Sequence, residues 1–191
     1  MKYCKFWLLV IILASCGSWP NQQVYVLGSA GEPAAGVRDD AGRRVIEIKR
    51  VLVPDYLDST DLTLRTGTNE LKASQTGVWG ERLSIGITQA LAGALARRVP
   101  SAVVVARPPV IRPAVQVLVD VTGLQSTTGG EAVLTGRWTI LRLRDGSAPQ
   151  TIATAQGSFV AQGAGTGDGA VVAAITDVID QLADRIAISL R

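Results

Sequence analysis

Ala132-Val133-Leu134-Thr135-Gly136-Arg137-Trp138-Thr139-Ile140 alternates with a period of two: Ala132, Leu134, Trp138 and Ile140 fall on one side, Thr135, Arg137 and Thr139 on the other. Successive side chains of an extended backbone point to opposite faces, so this pattern marks a strand with one face on a core and one toward water. The strand is expected from Ala132 to Arg144. Turn signals flank it, Thr127-Thr128-Gly129-Gly130 before and Asp145-Gly146-Ser147 after. They place it between two further strand candidates, Ala114 to Leu124 and Thr151 to Val160, and the three form a meander with one buried side.

That buried side needs a cover, and the sequence supplies two. Leu83, Ile87, Leu91 and Leu95 recur every four residues, with Ala90, Ala94 and Val99 beside them. This spacing predicts an amphipathic helix from about Val78 to Arg98. Arg97 and Arg98 lie at its C-terminal end, where cations complement the helix dipole, and Pro100 ends it. Val171, Ile175, Val178, Ile179, Leu182 and Ile186 give a second apolar stripe, with Asp168 as the expected N-cap. Two amphipathic helices on one face of an antiparallel or mixed sheet satisfy both stripes, and the fold class is α+β.

Upstream, Val24 to Leu27 reads as a short strand and Ser29 to Gly42 as a polar, Gly/Ala-rich loop. Val45 to Val53 alternates, with Ile46, Ile48 and Arg50 on one side and Val45, Glu47, Lys49 and Val51 on the other. Pro54 stops it, since proline cannot donate to a ladder. Leu62 to Arg65 and Glu70 to Ala73 flank Thr66-Gly67-Thr68-Asn69, a hairpin signal. Ala102 to Ala106 is uniformly apolar and reads as a buried strand; Pro108, Pro109 and Pro113 mark an irregular connector. Trp79 and Trp138 are in phase with apolar stripes and read as core anchors in preference to ligand platforms. No repeat or boundary divides residues 24–191, which are expected to form a single domain.

The N-terminus has a different character. A basic head, Met1-Lys2-Tyr3-Cys4-Lys5, precedes an apolar run from Phe6 to Ala14. The run is too short for a bilayer span of about 20 residues and has the length of a secretory signal. It ends in Leu13-Ala14-Ser15-Cys16, which resembles the bacterial lipobox. Small side chains let an extended backbone enter the peptidase cleft, and only a thiol gives the thioether that carries diacylglycerol. Residues 1–15 are thus expected to be a lipoprotein signal peptide recognised through Leu13, Ala14 and Ser15. Cys16 is the expected lipid attachment, palmitate-type acyl chains included, and residues 16–23 are a tether. The competing reading is an ordinary secretory signal with a chance cysteine. Gly17 follows Cys16, where the usual inner-membrane retention signal is Asp, so the expected destination is the outer membrane's periplasmic face.

Cleavage before Cys16 removes 15 of 191 residues and both lysines of the head, leaving 17 basic against 16 acidic side chains. The pI near 9.1 therefore owes part of its value to a discarded segment and gives no support to nucleic-acid binding. Cys16 is then the one remaining cysteine, so no disulfide can form within the mature chain. The sequence holds no histidine, which excludes Ser-His-Asp and Cys-His nucleophile activation and imidazole zinc sites. Asp177, Asp180 and Asp184 share a helix face and could attract a cation, but a solvated face is the preferred reading. Gly163 to Gly167 lacks Walker spacing and a following lysine, and reads as a flexible loop. No catalytic residue, metal site or cofactor is expected, apart from the covalent lipid.

Several stretches, in order, resemble one family. Val53-Pro54-Asp55-Tyr56-Leu57-Asp58 matches a P-x-Y-L-D loop, and Leu64 to Leu71 a T-R-x-G-x-N-x-L hairpin. Trp79-Gly80-Glu81-Arg82-Leu83 is similar to a W-A-E-P-L helix start, with Gly80 and Arg82 departing from it. Ala94 to Val99, Ala132 to Trp138 and Val24 to Gly28 match further elements. The chain thereby resembles the ABC-type transport auxiliary lipoproteins, which include lipoproteins of paraquat-inducible operons and those encoded beside MCE-protein transporters.

The resemblance implies a non-catalytic, outer-membrane-anchored periplasmic component of an MCE/ABC-type system moving phospholipid or another hydrophobic cargo between the membranes. The implied partners are the membrane through the lipid, an MCE-type bridging protein, an inner-membrane transporter, phospholipid and further copies of the chain. Asp55, Tyr56, Leu57 and Asp58 are the candidate partner contact, because no periodicity requires a tyrosine and a leucine in a charged loop. The alternative is that Tyr56 and Leu57 cap the sheet. For the whole chain, the alternative function is a structural or assembly lipoprotein, chaperone- or pilotin-like, for another envelope complex.

Overall fold

The computed structural model describes residues 22–28, 42–110 and 112–190. The signal segment, Cys16 and most of the tether and of the 29–42 loop lie outside the described residues. Strands β1 (Gln23–Tyr25), β2 (Arg44–Ile48), β3 (Asp61–Gly67) and β4 (Glu70–Trp79) precede helix α1 (Leu83–Arg98). Then come β5 (Ala102–Val105), β6 (Val115–Ser126), β7 (Glu131–Arg142), β8 (Gln150–Gln162) and helix α2 (Asp168–Ser189).

Among the described residues the class is α+β with two helices and mixed strands, as the two apolar periods require. The strands divide between two sheets, a three-stranded one in the order β1-β4-β3 and a five-stranded one in the order β5-β2-β6-β7-β8. The meander is present as an antiparallel β6-β7-β8 ladder, while β2 runs parallel to both β5 and β6. Helix α2 lies on β7 and β8, α1 on β5 and β2, and the helices pack on each other. Ile46, Ile48, Leu91, Leu95, Leu134, Ile140, Ile179, Leu182 and Ile186 are essentially sealed from water between them. Trp79 and Trp138 are both buried, Trp138 with its ring centroid 6.3 Å from that of Phe159. The sheets are linked where the buried Ser126 hydroxyl of β6 donates to the Thr63 carbonyl of β3 at 3.0 Å.

Four expectations change in detail. Helix α1 starts at Leu83, not near Val78. Val78 and Trp79 are extended because β4 is a central strand there: Val78 faces Val24 of β1 and Asp61 of β3. An apolar stripe in phase with a helix ran straight on from a buried strand end, and periodicity alone does not separate the two. Strand β5 is not fully buried; it is a four-residue edge strand, covered on one flank by β2 and half open elsewhere. On β2 the alternation hides a two-sided burial. Glu47 is only 4% exposed, and its carboxylate accepts from Gln116 Nε2 at 2.7 Å and pairs with Lys49 at 3.2 Å. A buried charge needs such partners.

The fourth concerns Asp168, which does not cap its own helix. The N-cap position is Gly167, with no side-chain cap. Asp168 instead accepts from the Ser74 and Thr76 hydroxyls of β4 at 2.8 and 2.7 Å, pinning the start of α2 to the other sheet. The loop before it is closely packed: a Cβ on Gly163 would stand 1.9 Å from the Ala170 carbonyl oxygen. Glycine is needed there because two backbones approach too closely for any side chain.

Candidate partner-contact and anchoring sites

The 54–59 loop begins where Pro54 ends the run from β2 and turns back through two hydrogen bonds, from Leu57 N–H to the Pro54 carbonyl and from Asp58 N–H to the Asp55 carbonyl. The turn separates the four candidate residues. Leu57 points into the core and is 4% exposed, whereas Tyr56 is 62% exposed. Asp55 is exposed beside it.

Asp58 is turned toward α1. The first helical N–H groups have no partner within the helix. Ser84 N–H donates to Asp58 Oδ1 at 3.1 Å and Leu83 N–H to the Ser59 carbonyl at 3.1 Å. Arg82 pairs with Asp58 Oδ2 at 3.1 Å and donates to the Asp58 carbonyl. Arg50 donates to the Ser84 hydroxyl at 2.8 Å and stands 3.7 Å from Asp58. Burial works against the charged form of Asp58, but hydrogen bonds from the Ser84 side chain and amide, together with Arg82, hold its carboxyl below the usual carboxylate value. One turn further along α1, Thr88 accepts from the N–H of Val51 at 2.9 Å and donates to the Ser84 carbonyl. Leu57 and Asp58 thus belong to the scaffold, and the surface that the loop presents is Asp55 and Tyr56.

The acidic face of α2 is divided as well. Asp180 pairs with Arg97 and Arg98, each at 3.1 Å, and Asp184 pairs with Arg98 at 2.6 Å, while Asp177 is exposed. The hydrogen bond from Arg98 draws the Asp184 carboxyl below its usual value against a smaller effect of burial, and that same bond raises Arg98. These pairs join the two helices. Among the described residues no group of three or more side chains of metal-ligand type comes together, and no helix is long and apolar enough to cross a membrane.

Of the surface grooves, two lie beside these features. One, of about 370 Å³, lies on the outer sheet face between Leu52, Leu118, Lys49, Arg50 and Arg137. The other, of about 570 Å³, runs between β8 and α2 over Trp138. Sequence reasoning pointed to neither, because both arise where segments far apart in the chain meet.

The fold recurs in solved structures. A crystal structure of an uncharacterized protein superposes with a TM-score of 0.67 at 21% identity, over 78% of this chain and 92% of that one. The crystal structure of protein XCC0632 from Xanthomonas campestris, assigned to DUF330, gives 0.60 at 16% identity over 87% and 90%. These likenesses define a class of α+β domains. The family model for the ABC-type transport auxiliary lipoprotein component matches residues 25–187, from β1 to the last turn of α2, and the chain belongs to that family. A comparison with curated proteins finds no match.

Proposed function

We propose that the chain is carried on the periplasmic face of the outer membrane by acyl chains on Cys16, and serves there as the non-catalytic auxiliary component of an MCE/ABC-type transport system. The cargo in this reading is phospholipid or another hydrophobic molecule. The observation that carries it is the conjunction of the Leu13-Ala14-Ser15-Cys16 lipobox with a family match that covers nearly all the remaining chain. The absence of histidine supports a role without imidazole-based chemistry. Three acyl chains are ample for stable anchoring, which takes about two, and leave the domain free to meet a bridging protein. Asp55 and Tyr56 are the proposed contact on its loop face.

Affinity purification of the detergent-solubilised chain from its own envelope tests the reading. Recovery of an MCE protein and its ATPase at near-stoichiometric ratio is expected, with loss of that recovery for the double variant Asp55→Ala, Tyr56→Ala. Recovery of a secretin or barrel complex in their place would assign the chain to assembly instead.

A further inference from the structure

The two edges of the five-stranded sheet are unlike. Strand β5 is four residues long and runs into Arg107-Pro108-Pro109, and short strands, charge and proline are the ordinary guards of a sheet edge. Strand β8 is 13 residues long, Gln150-Thr151-Ile152-Ala153-Thr154-Ala155-Gln156-Gly157-Ser158-Phe159-Val160-Ala161-Gln162, with no charge and no proline. It pairs with β7 on one side only.

The direction of its free backbone groups is fixed by one side chain. Gln181 of α2 donates to the Val160 carbonyl at 2.9 Å, so the peptide groups of Val160 face away from β7. In an antiparallel ladder, residues alternate between bonding the partner strand and facing away. Thr154, Gln156 and Ser158 therefore also face out, with their N–H and C=O groups turned away from the β7 ladder. The groove of about 570 Å³ lies along this row, floored by Trp138 and walled by Gln181, Asp184 and Arg185. The Trp138 Nε1 is buried there without a hydrogen-bond partner among the described residues. Asp184 is already neutralised by Arg98. Arg185 is exposed and in no ion pair among the described residues, so it is the unpaired charge beside the groove.

We propose that the open edge of β8 receives an extended, acidic segment of a partner protein as an added strand, seated between β8 and α2. Donors and acceptors that alternate along a strand are matched by another extended backbone, and pockets beside the edge supply preference. Gln181 holds the outward Val160 carbonyl and marks one end of the seat. A carboxylate on the incoming strand would meet Arg185, β8 itself carries no charge, and the neighbouring Asp184 is engaged by Arg98. The inference does not depend on which transport system the chain serves.

The test uses the detergent-solubilised full chain and fluorescein-labelled Thr-Val-Thr-Glu-Val-Thr-Val, read by anisotropy. Three controls accompany it: the same peptide with Lys for Glu, the same peptide N-methylated at alternate amides, and the chain's own oligomeric state by light scattering. The acidic peptide is expected to bind, with the Lys peptide and the N-methylated peptide each about tenfold or more weaker. Ser158→Pro removes one outward N–H without touching the β7 ladder and is expected to lose binding by a similar factor. Gln156→Lys, which guards the edge without proline, serves if that variant misfolds. Arg185→Glu is expected to reverse the preference between Glu and Lys peptides. The proposal is overturned if no peptide binds, if N-methylation leaves binding unchanged, or if Ser158→Pro converts a dimer to a monomer, which would give the edge to a second copy.

Discussion

The Oδ1 atom of Asp58 accepts the backbone N–H of Ser84 at 3.1 Å across 26 residues of chain, so the loop after β2 caps the helix after β4. The same carboxylate holds Arg82 and neighbours Arg50, and the turn that places it also drives Leu57 into the core. A stretch that reads as a contact loop is half a structural clamp.

Removing that clamp has a measurable cost. Asp58→Ala is expected to lower stability by about 1 kcal/mol, the usual loss for a helix cap, seen as a lower urea midpoint with unchanged slope. Asp58→Asn, which keeps an acceptor, is expected to recover most of it. Equal losses in the two variants would remove the cap from the explanation.

The clamp also sets a pH dependence. The folded-state value of Asp58 lies below its ordinary one, so its contribution is present above the unfolded value near 4 and is lost as pH falls through the lower, folded value. Urea midpoints taken between neutral pH and about pH 3 should fall more steeply in the wild type than in Asp58→Asn. Parallel acid limbs would contradict this.

Thr88 ties the segment after β2 to α1 through a buried hydrogen bond from the Val51 N–H. Thr88→Val keeps the shape but leaves the Val51 N–H without its acceptor, and about 1–3 kcal/mol is expected to be lost. Thr88→Ser should retain more than half of that stability in the same thermal melts, since it keeps the hydroxyl. A Ser variant as weak as Val would assign the effect to packing.

Gly163 is the most constrained glycine of the turn into α2. Gly163→Ala forces apart the strand end and the first turn of α2, with an expected loss of about 1–3 kcal/mol. Gly165→Ala is strained by its φ of 84° but has open space around it and is expected to cost less. The reverse order in thermal unfolding would show that the turn relaxes.

The elements that were legible in the sequence are those whose period extends for several turns or pleats. The β6-β7-β8 meander, with Leu134, Trp138 and Ile140 inward, and the stripes of both helices follow from alternation and four-residue spacing. What stayed hidden depends on contacts between distant segments. Trp79 ends a central strand because β1 pairs on its far side, and nothing local to Trp79 shows that. Glu47 is buried by virtue of Gln116 and Lys49, against the ordinary exposure of a glutamate. Asp168 has the residue type and place of an N-cap, yet two hydroxyls on β4 outcompete its own helix. Leu57 looked unneeded because the core it fills is assembled from other elements. The division into two sheets escaped for the same reason, since pairing joins strands far apart in the chain, as β1 with β4 and β2 with β5 and β6. The anchoring reading rests wholly on residues 13–16, whose pattern is chemical and needs no fold.

The anchoring reading is therefore open to a direct measurement. Cells expressing the wild type or Cys16→Ala are fed an alkynyl fatty acid, and label on the immunoprecipitated chain is compared along a membrane density gradient. The expected result is a labelled wild type in the outer-membrane fractions and a Cys16→Ala variant that carries no label and is missing from them. Label on Cys16→Ala, or a wild type without label, would contradict lipid anchoring through Cys16.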